Sequence, residues 1–90
     1  MQTDIILEAD LTPSQVAELA QLAESYGIRA VWTQNYASGR DPFLCLMPAA
    51  AATKKIRLGA VVISPYEMHP LKIATAVSTL NEYANGRGMV

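Results

Sequence analysis

Residues 56–63 read I-R-L-G-A-V-V-I, and the chain runs on through S-P-Y-E-M-H-P (64–70) into L-K-I-A-T-A-V-S-T-L-N-E-Y-A-N-G-R-G-M-V (71–90). A nearly continuous apolar run of strand length, without polar alternation, marks a strand covered on both faces, as in a parallel sheet. Ser64-Pro65-Tyr66 breaks it. Pro70 opens a helix in which Ile73, Ala74, Val77, Leu80 and Tyr83 share a face, and Asn85-Gly86 ends that helix. Gly88-Met89-Val90 then begins another strand. Strand, helix and strand joined by short connections form the unit of a parallel sheet with right-handed crossovers.

The same rhythm extends toward the N-terminus. Asp4 to Glu8 is a short apolar run of strand length. Thr12 then suits an N-cap, with Pro13 at the first helical position and Gln15 completing a capping box. Val16, Leu19, Ala20, Ala23 and Tyr26 recur at helical spacing, and Gly27 suits the left-handed position after a helix, so a helix is predicted over Pro13 to Tyr26. Ile28 to Thr33 is the second predicted strand, and Gln34 to Arg40 a polar loop. Asp41-Pro42 restarts a helix, predicted over Pro42 to Thr53 and apolar on nearly every side. Pro48 removes one of its backbone bonds and kinks it. Lys54 and Lys55 sit at its end, where the helix dipole favours cations. The expected fold is therefore α/β. Three β-α units and the start of a fourth strand occupy 1–90 as a single partial domain, with parallel strand order 1-2-3 and the helices on the outer face. A closed eight-unit barrel takes about 250 residues, so this is the pattern of the N-terminal part of a (β/α)8 TIM barrel.

Composition narrows the function classes. The 90 residues carry 7 Lys and Arg against 8 Asp and Glu, for a net charge of -1. These charges are scattered, which argues against nucleic acid or an anionic membrane as partner. Cys45 is the one cysteine, which excludes an intrachain disulfide and fits a reduced, cytoplasmic setting. With His69 the one histidine, a soft metal site is not expected. No basic segment precedes an apolar stretch at the N-terminus, and no run approaches the roughly 18 apolar residues of a membrane helix.

In an α/β fold the chemistry sits at the carboxyl ends of strands. That rule selects Glu8 to Asp10, Thr33 to Tyr36 and Val62 to Tyr66. Glu8 is a candidate acid, base or substrate contact, or else a solvated carboxylate. Asn35 can hydrogen-bond a cofactor ring and Tyr36 can stack or donate. Trp32 is expected in the core of the barrel or against a helix. His69, just before Pro70, is either a helix cap or a base or phosphate contact. Cys45, inside an apolar helix, is expected in the core. Gly86-Arg87-Gly88 is not a phosphate loop, and neither G-x-G-x-x-G nor a Walker sequence is present.

The run I-R-L-G-A-V-V-I-S-P-Y…H-P…T-L-N-E-Y-A-N-G-R (56–87) resembles the luciferase-like superfamily of monooxygenases and reductases. Upstream, L-A-E-S-Y-G-I-R-A-V-W (22–32) is similar to that family's L-A-E-x-x-G-F-D-x-V-W. Asp41 with A-A-A-A-T-K-K-I-R-L-G (49–59) matches its second helix. The spacing of Gly59, Pro65 and Tyr66 looks most like the deazaflavin-dependent branch, of which methylenetetrahydromethanopterin reductase is the best-known member. The resemblance implies an oxidoreductase using coenzyme F-420, or reduced FMN with oxygen, on a small organic substrate. It places the cofactor ring against Asn35, Val61, Val62, Ile63 and Ser64, with Glu8 near the substrate. It also implies a non-proline cis peptide between Val61 and Val62, and phosphate-binding elements beyond residue 90. This chain departs from the family pattern at Asn35-Tyr36, where Asp-His is usual, at Ser64 in place of Asn, and at Asn81 in place of Asp. The other expectation is a non-catalytic folding or assembly module that pairs with itself, as a homo-oligomer, or with the remainder of a barrel.

Overall fold

Four parallel strands stand side by side in chain order, β1 (Asp4–Ile6), β2 (Ala30–Gln34), β3 (Arg57–Val61) and β4 (Gly88–Met89). Among the described residues the connecting helices are α1 (Pro13–Ser25), the short pair α2 (Pro42–Cys45) and α3 (Met47–Ala52), and α4 (Pro70–Tyr83). This is a computed structural model, and it describes residues 3–8, 10–34, 41–61 and 69–89. The parallel order and the β-α rhythm are those expected from the sequence, although the strands are shorter or shifted. The first ends at Ile6 rather than Glu8, with Leu7 N–H still donating to Trp32 O at 2.8 Å. The second runs one residue further than expected, to Gln34, and starts two later, at Ala30. The third starts at Arg57, one residue after the expected Ile56.

The register explains which residues are core. Asp4, Ile5 and Ile6 pair with Ala30, Val31 and Trp32, and Trp32 pairs in turn with Gly59, which pairs with Met89. Strand side chains alternate between faces. One face therefore carries Leu7, Val31, Leu58 and Ala60. These join Val16, Ala20, Ala23, Leu46, Ala49 and Leu80 of the helical layer in one buried cluster. The other, inner face carries Ile6, Trp32, Gly59 and Met89. Leu58, Gly59 and Ala60 are all buried, as the unbroken apolar run of the third strand required.

Helix α1 begins as its sequence dictates. Thr12 N–H donates to Gln15 Oε1 at 2.8 Å and Gln15 N–H to Thr12 Oγ1 at 3.2 Å, a complete capping box. Gly27 follows at φ +77, in the region closed to most side chains. Its expected face is only partly buried, however. Val16, Ala20 and Ala23 are in the core, while Leu19, Leu22 and Tyr26 are exposed beside Ile5, Leu7, Ile28 and Val31, along the edge strand β1.

The single kinked helix expected over 42–53 is instead two helices. Pro48 has no N–H to give the carbonyl of Leu44, and its ring collides with that carbonyl, so the ladder breaks at Leu46. Pro48 then occupies the second position of α3, where an N–H has no helical partner to lose. Phe43, Cys45, Leu46, Ala49 and Ala50 are buried, but Leu44 is exposed, so the segment is amphipathic rather than apolar all round. Helix α4 likewise turns a slightly different face inward than expected. Leu80 and Ala84 are buried and Ile73, Ala76 and Val77 half-buried, whereas Ala74 and Tyr83 face out. Asn85 and Gly86, at φ +55 and +88, end it in the left-handed region.

Candidate active site

Parallel strands bring their carboxyl ends to one edge, where Glu8, Gln34 and Val61 follow or end β1, β2 and β3. Gln34 is paired in register with Val61. Glu8 and Gln34 line one small cleft with Leu11, Thr33, Pro42 and Cys45, of about 10 Å³, room for about one water. Glu8 is exposed, and Gln34 and Val61 are half-buried. Beneath them the buried Thr33 donates its hydroxyl to Pro42 O at 3.0 Å, fixing the end of β2 to the start of α2. Asp41 caps that helix, its Oδ1 accepting from Phe43 N–H and Leu44 N–H at 2.9 Å each. The edge thus combines an exposed carboxylate that can exchange a proton, an amide with both a donor and an acceptor, and an aliphatic wall.

Of the residues expected at the site, Glu8 and Val61 stand at this edge. Asn35, Tyr36, Val62, Ile63, Ser64 and the Val61–Val62 bond lie outside the described residues. Gln34 fell within the selected stretch Thr33 to Tyr36 but was passed over for its neighbour Asn35; the structure makes it the last residue of β2. His69 caps α4, its Nδ1 accepting from Leu71 N–H at 3.0 Å, and Cys45 is buried. Among the described residues no group of three or more His, Cys, Asp or Glu could hold a metal, and no helix is long and apolar enough to cross a membrane.

The opposite, amino edge holds a second charged arrangement that sequence reasoning also missed. Glu24 Oε2 accepts three consecutive N–H groups, from Lys54 at 2.8 Å, Lys55 at 2.6 Å and Ile56 at 3.0 Å. Burial pushes the Glu24 carboxyl up, but these three N–H groups and the nearby Arg87 outweigh it and hold the group below its ordinary value. Arg87 is buried and donates to five acceptors. Its Nε reaches Ala84 O at 2.7 Å, its Nη1 Thr53 Oγ1 at 2.7 Å and Ile56 O at 3.1 Å, and its Nη2 Ala50 O at 3.0 Å and Thr53 O at 3.2 Å. The segment entering β3 is therefore gripped by a carboxylate on its N–H side and a guanidinium on its carbonyl side. A readable signal existed for Glu24: an acid in the last turn of a helix opposes the dipole and needs compensation from elsewhere. Asp4, also at the amino edge, pairs with Arg29 and accepts from Trp32. The bond from Arg29, then that from Trp32, lowers its pKa.

The model of the luciferase-like monooxygenase family matches residues 2–89. The chain belongs to that family. A 5,10-methylenetetrahydromethanopterin reductase of Methanopyrus kandleri is 33% identical over 86 residues, covering 96% of this chain and 25% of that protein. The structure of the coenzyme F-420-dependent tetrahydromethanopterin reductase from the same organism superposes with a TM-score of 0.90 at 32% identity, over 96% of this chain and 25% of that one. The oxygenating constituent of 3,6-diketocamphane monooxygenase from Pseudomonas putida, solved in complex with FMN, superposes with a TM-score of 0.83 at 26% identity, over 97% and 28%. The chain thus spans about a quarter of the length of these relatives. The family assignment expected from the motifs holds, and so does the barrel-type α/β fold.

Proposed function

We propose that this chain supplies the opening β-α units of a barrel oxidoreductase that moves hydride between coenzyme F-420 and a small organic substrate or, with reduced FMN and oxygen, oxygenates such a substrate. The observation that carries this reading is the placement of Glu8, beside Gln34, and of Val61, paired with Gln34, at the carboxyl edge of a parallel sheet, in a family with one relative described as coenzyme F-420-dependent and another solved with FMN. The residues fit such a group: a flat heterocycle with polar rims needs an aliphatic wall and amide partners, which Val61 and Gln34 provide. When bound, the deazaflavin or flavin supplies the hydride chemistry, and the protein supplies orientation and electrostatics. Val61, with Asn35, Val62, Ile63 and Ser64 next to it in sequence or at the neighbouring strand end, lines the ring. Glu8, one strand away, faces the substrate and exchanges a proton with it. Turnover needs the loops of a whole barrel, so the 90-residue chain by itself is inactive and works in association with the remainder of a barrel.

The rival reading, a non-catalytic folding or assembly module, draws on the exposed apolar side chains Ile6, Leu22 and Tyr26. Titrating coenzyme F-420 and FMN separately into the longest form of the protein decides between them. Saturable binding of one cofactor, followed by absorbance, is expected. A protein that binds neither overturns the oxidoreductase reading.

A further inference from the structure

Trp32 stands on the inner face of the sheet. Gly59 lies next to it in register and has no side chain. The six-membered edge of the indole takes that space, with Cζ3 and Cε3 only 2.6 and 2.7 Å from where a Cβ at residue 59 would stand. At its other end the indole N–H donates to Asp4 Oδ2 at 3.0 Å. Asp4 is itself held by Arg29, whose Nε donates to Oδ1 at 2.8 Å and whose Nη2 pairs with Oδ2. The ring is thus fixed at both ends, and its one donor is committed toward the amino edge. Two residues further along the strands, one pleat above it on the same face, stand Gln34 and Val61.

We propose that Asp4 is a positioning residue that holds Trp32 across Gly59, so that the indole forms an apolar floor beneath the ring-binding ends of β2 and β3. The floor role rests on the cofactor site proposed above; the positioning role does not. A ligand group descending past Gln34 and Val61 meets carbon rather than a hydrogen-bond donor. The floor therefore takes the apolar edge of a planar heterocycle and sets how deep it enters.

Trp32 is the one tryptophan of the 90 residues, so emission excited beyond the tyrosine absorption band reports on it alone. Asp4→Ala is expected to shift that emission to the red and raise its quenching by acrylamide, with far-UV circular dichroism unchanged. Asp4→Asn, which keeps an acceptor oxygen, is expected to recover most of the wild-type emission. Gly59→Ala, which fills the indole's seat, reproduces the red shift with Asp4 intact. Wild-type emission in both Asp4→Ala and Gly59→Ala overturns the positioning role. In the longest form of the protein, bound coenzyme F-420 or FMN is expected to quench tryptophan emission, with that component lost in Trp32→Phe. Binding without this loss overturns the floor and leaves the proposed function standing. Failure of both cofactors to bind overturns the function and the floor together, and leaves the emission result for Asp4 intact.

Discussion

The two edges of the sheet use charge in opposite ways. At the amino edge three charged groups are committed: Glu24 to three backbone N–H groups, Arg87 to five acceptors, Asp4 to Arg29 and Trp32. At the carboxyl edge Glu8 is exposed, in a cleft with Gln34. Both edges are built from the same repeating β-α unit, so the difference lies in what the side chains do. Charges whose bonding capacity is filled by backbone hold the sheet together, and those left open are free to meet a ligand. Substitutions at the first edge should therefore register as stability, and those at the second as binding or turnover.

The sharpest way to break this comparison is at Arg87. Arg87→Ala leaves two helix-end carbonyls and the carbonyls of Thr53 and Ile56 without their donor, in a buried place. Removing one side of a buried, charge-assisted arrangement costs about 3 kcal/mol or more. A domain with a total of about 5–15 kcal/mol would show this as a large fall in urea midpoint. Arg87→Lys keeps the charge but not the planar fork, and should recover only part of the loss. A fall of less than about 1 kcal/mol for Arg87→Ala would remove the amino edge as the structural one.

Glu24 is the next test, and its effect depends on pH. Its carboxyl titrates below its ordinary value of 4.5 in the folded chain. A depressed carboxylate contributes stability above its unfolded pKa and loses it as pH falls through the folded pKa. Glu24→Gln is therefore expected to cost about 1–2 kcal/mol at neutral pH, a hydrogen-bond figure reduced for the group's partial exposure. The gap between wild type and variant should close as the pH falls below 4.5. A gap that stays constant from neutral pH into strong acid would show that shape, not charge, grips the segment entering β3.

His69 sharpens the comparison from the other side, because it stands at the start of α4 and was open to two roles. Its Nδ1 accepts from Leu71 N–H, the work of a cap. His69→Ala should cost about 0.5–1 kcal/mol in thermal or urea unfolding, and His69→Asn should restore most of it. A variant of unchanged stability would return His69 to the ligand candidates.

The legibility of this chain follows the same division. The capping box of Thr12 and Gln15 and the left-handed Gly27 were legible because each is decided by residues within a few positions of one another, and the parallel sheet because the repeated strand-helix rhythm leaves a single handedness of crossover. The break at Leu46 was half legible: Pro48 announced a disturbance, but whether a helix bends or splits depends on what its two halves pack against. Arg87 and Glu24 stood inside the quoted motifs G-R and L-A-E and still went unrecognised, since their partners lie about thirty residues away in sequence. Leu19 and Tyr26 were assigned inward by periodicity, which cannot say that the helix borders an edge strand. At the candidate site, Glu8 and the stretch holding Gln34 both followed from the rule of strand ends, but which residue of that stretch stands on the strand depended on a boundary misplaced by one residue.

The smallest stability effect is expected at Glu8, and it carries the most functional weight. Glu8 is exposed, so removing its charge deprives no buried group of a partner. Glu8→Gln preserves the shape and one acceptor oxygen, and should move the unfolding free energy by no more than about 0.5 kcal/mol. Its amide, however, has no proton to exchange with a substrate. If Glu8 exchanges a proton with the substrate, turnover by the longest form of the protein should fall by about 100-fold or more, with cofactor affinity little changed. Gln34→Ala should do the reverse, weakening cofactor binding more than the chemical step, since an amide can hold a ring but offers no titratable proton. Equal losses in both measurements for both variants would mean that the two side chains serve one purpose. Loss of folding in Glu8→Gln would mean that the carboxyl edge is as structural as the amino edge, and the contrast between them would collapse.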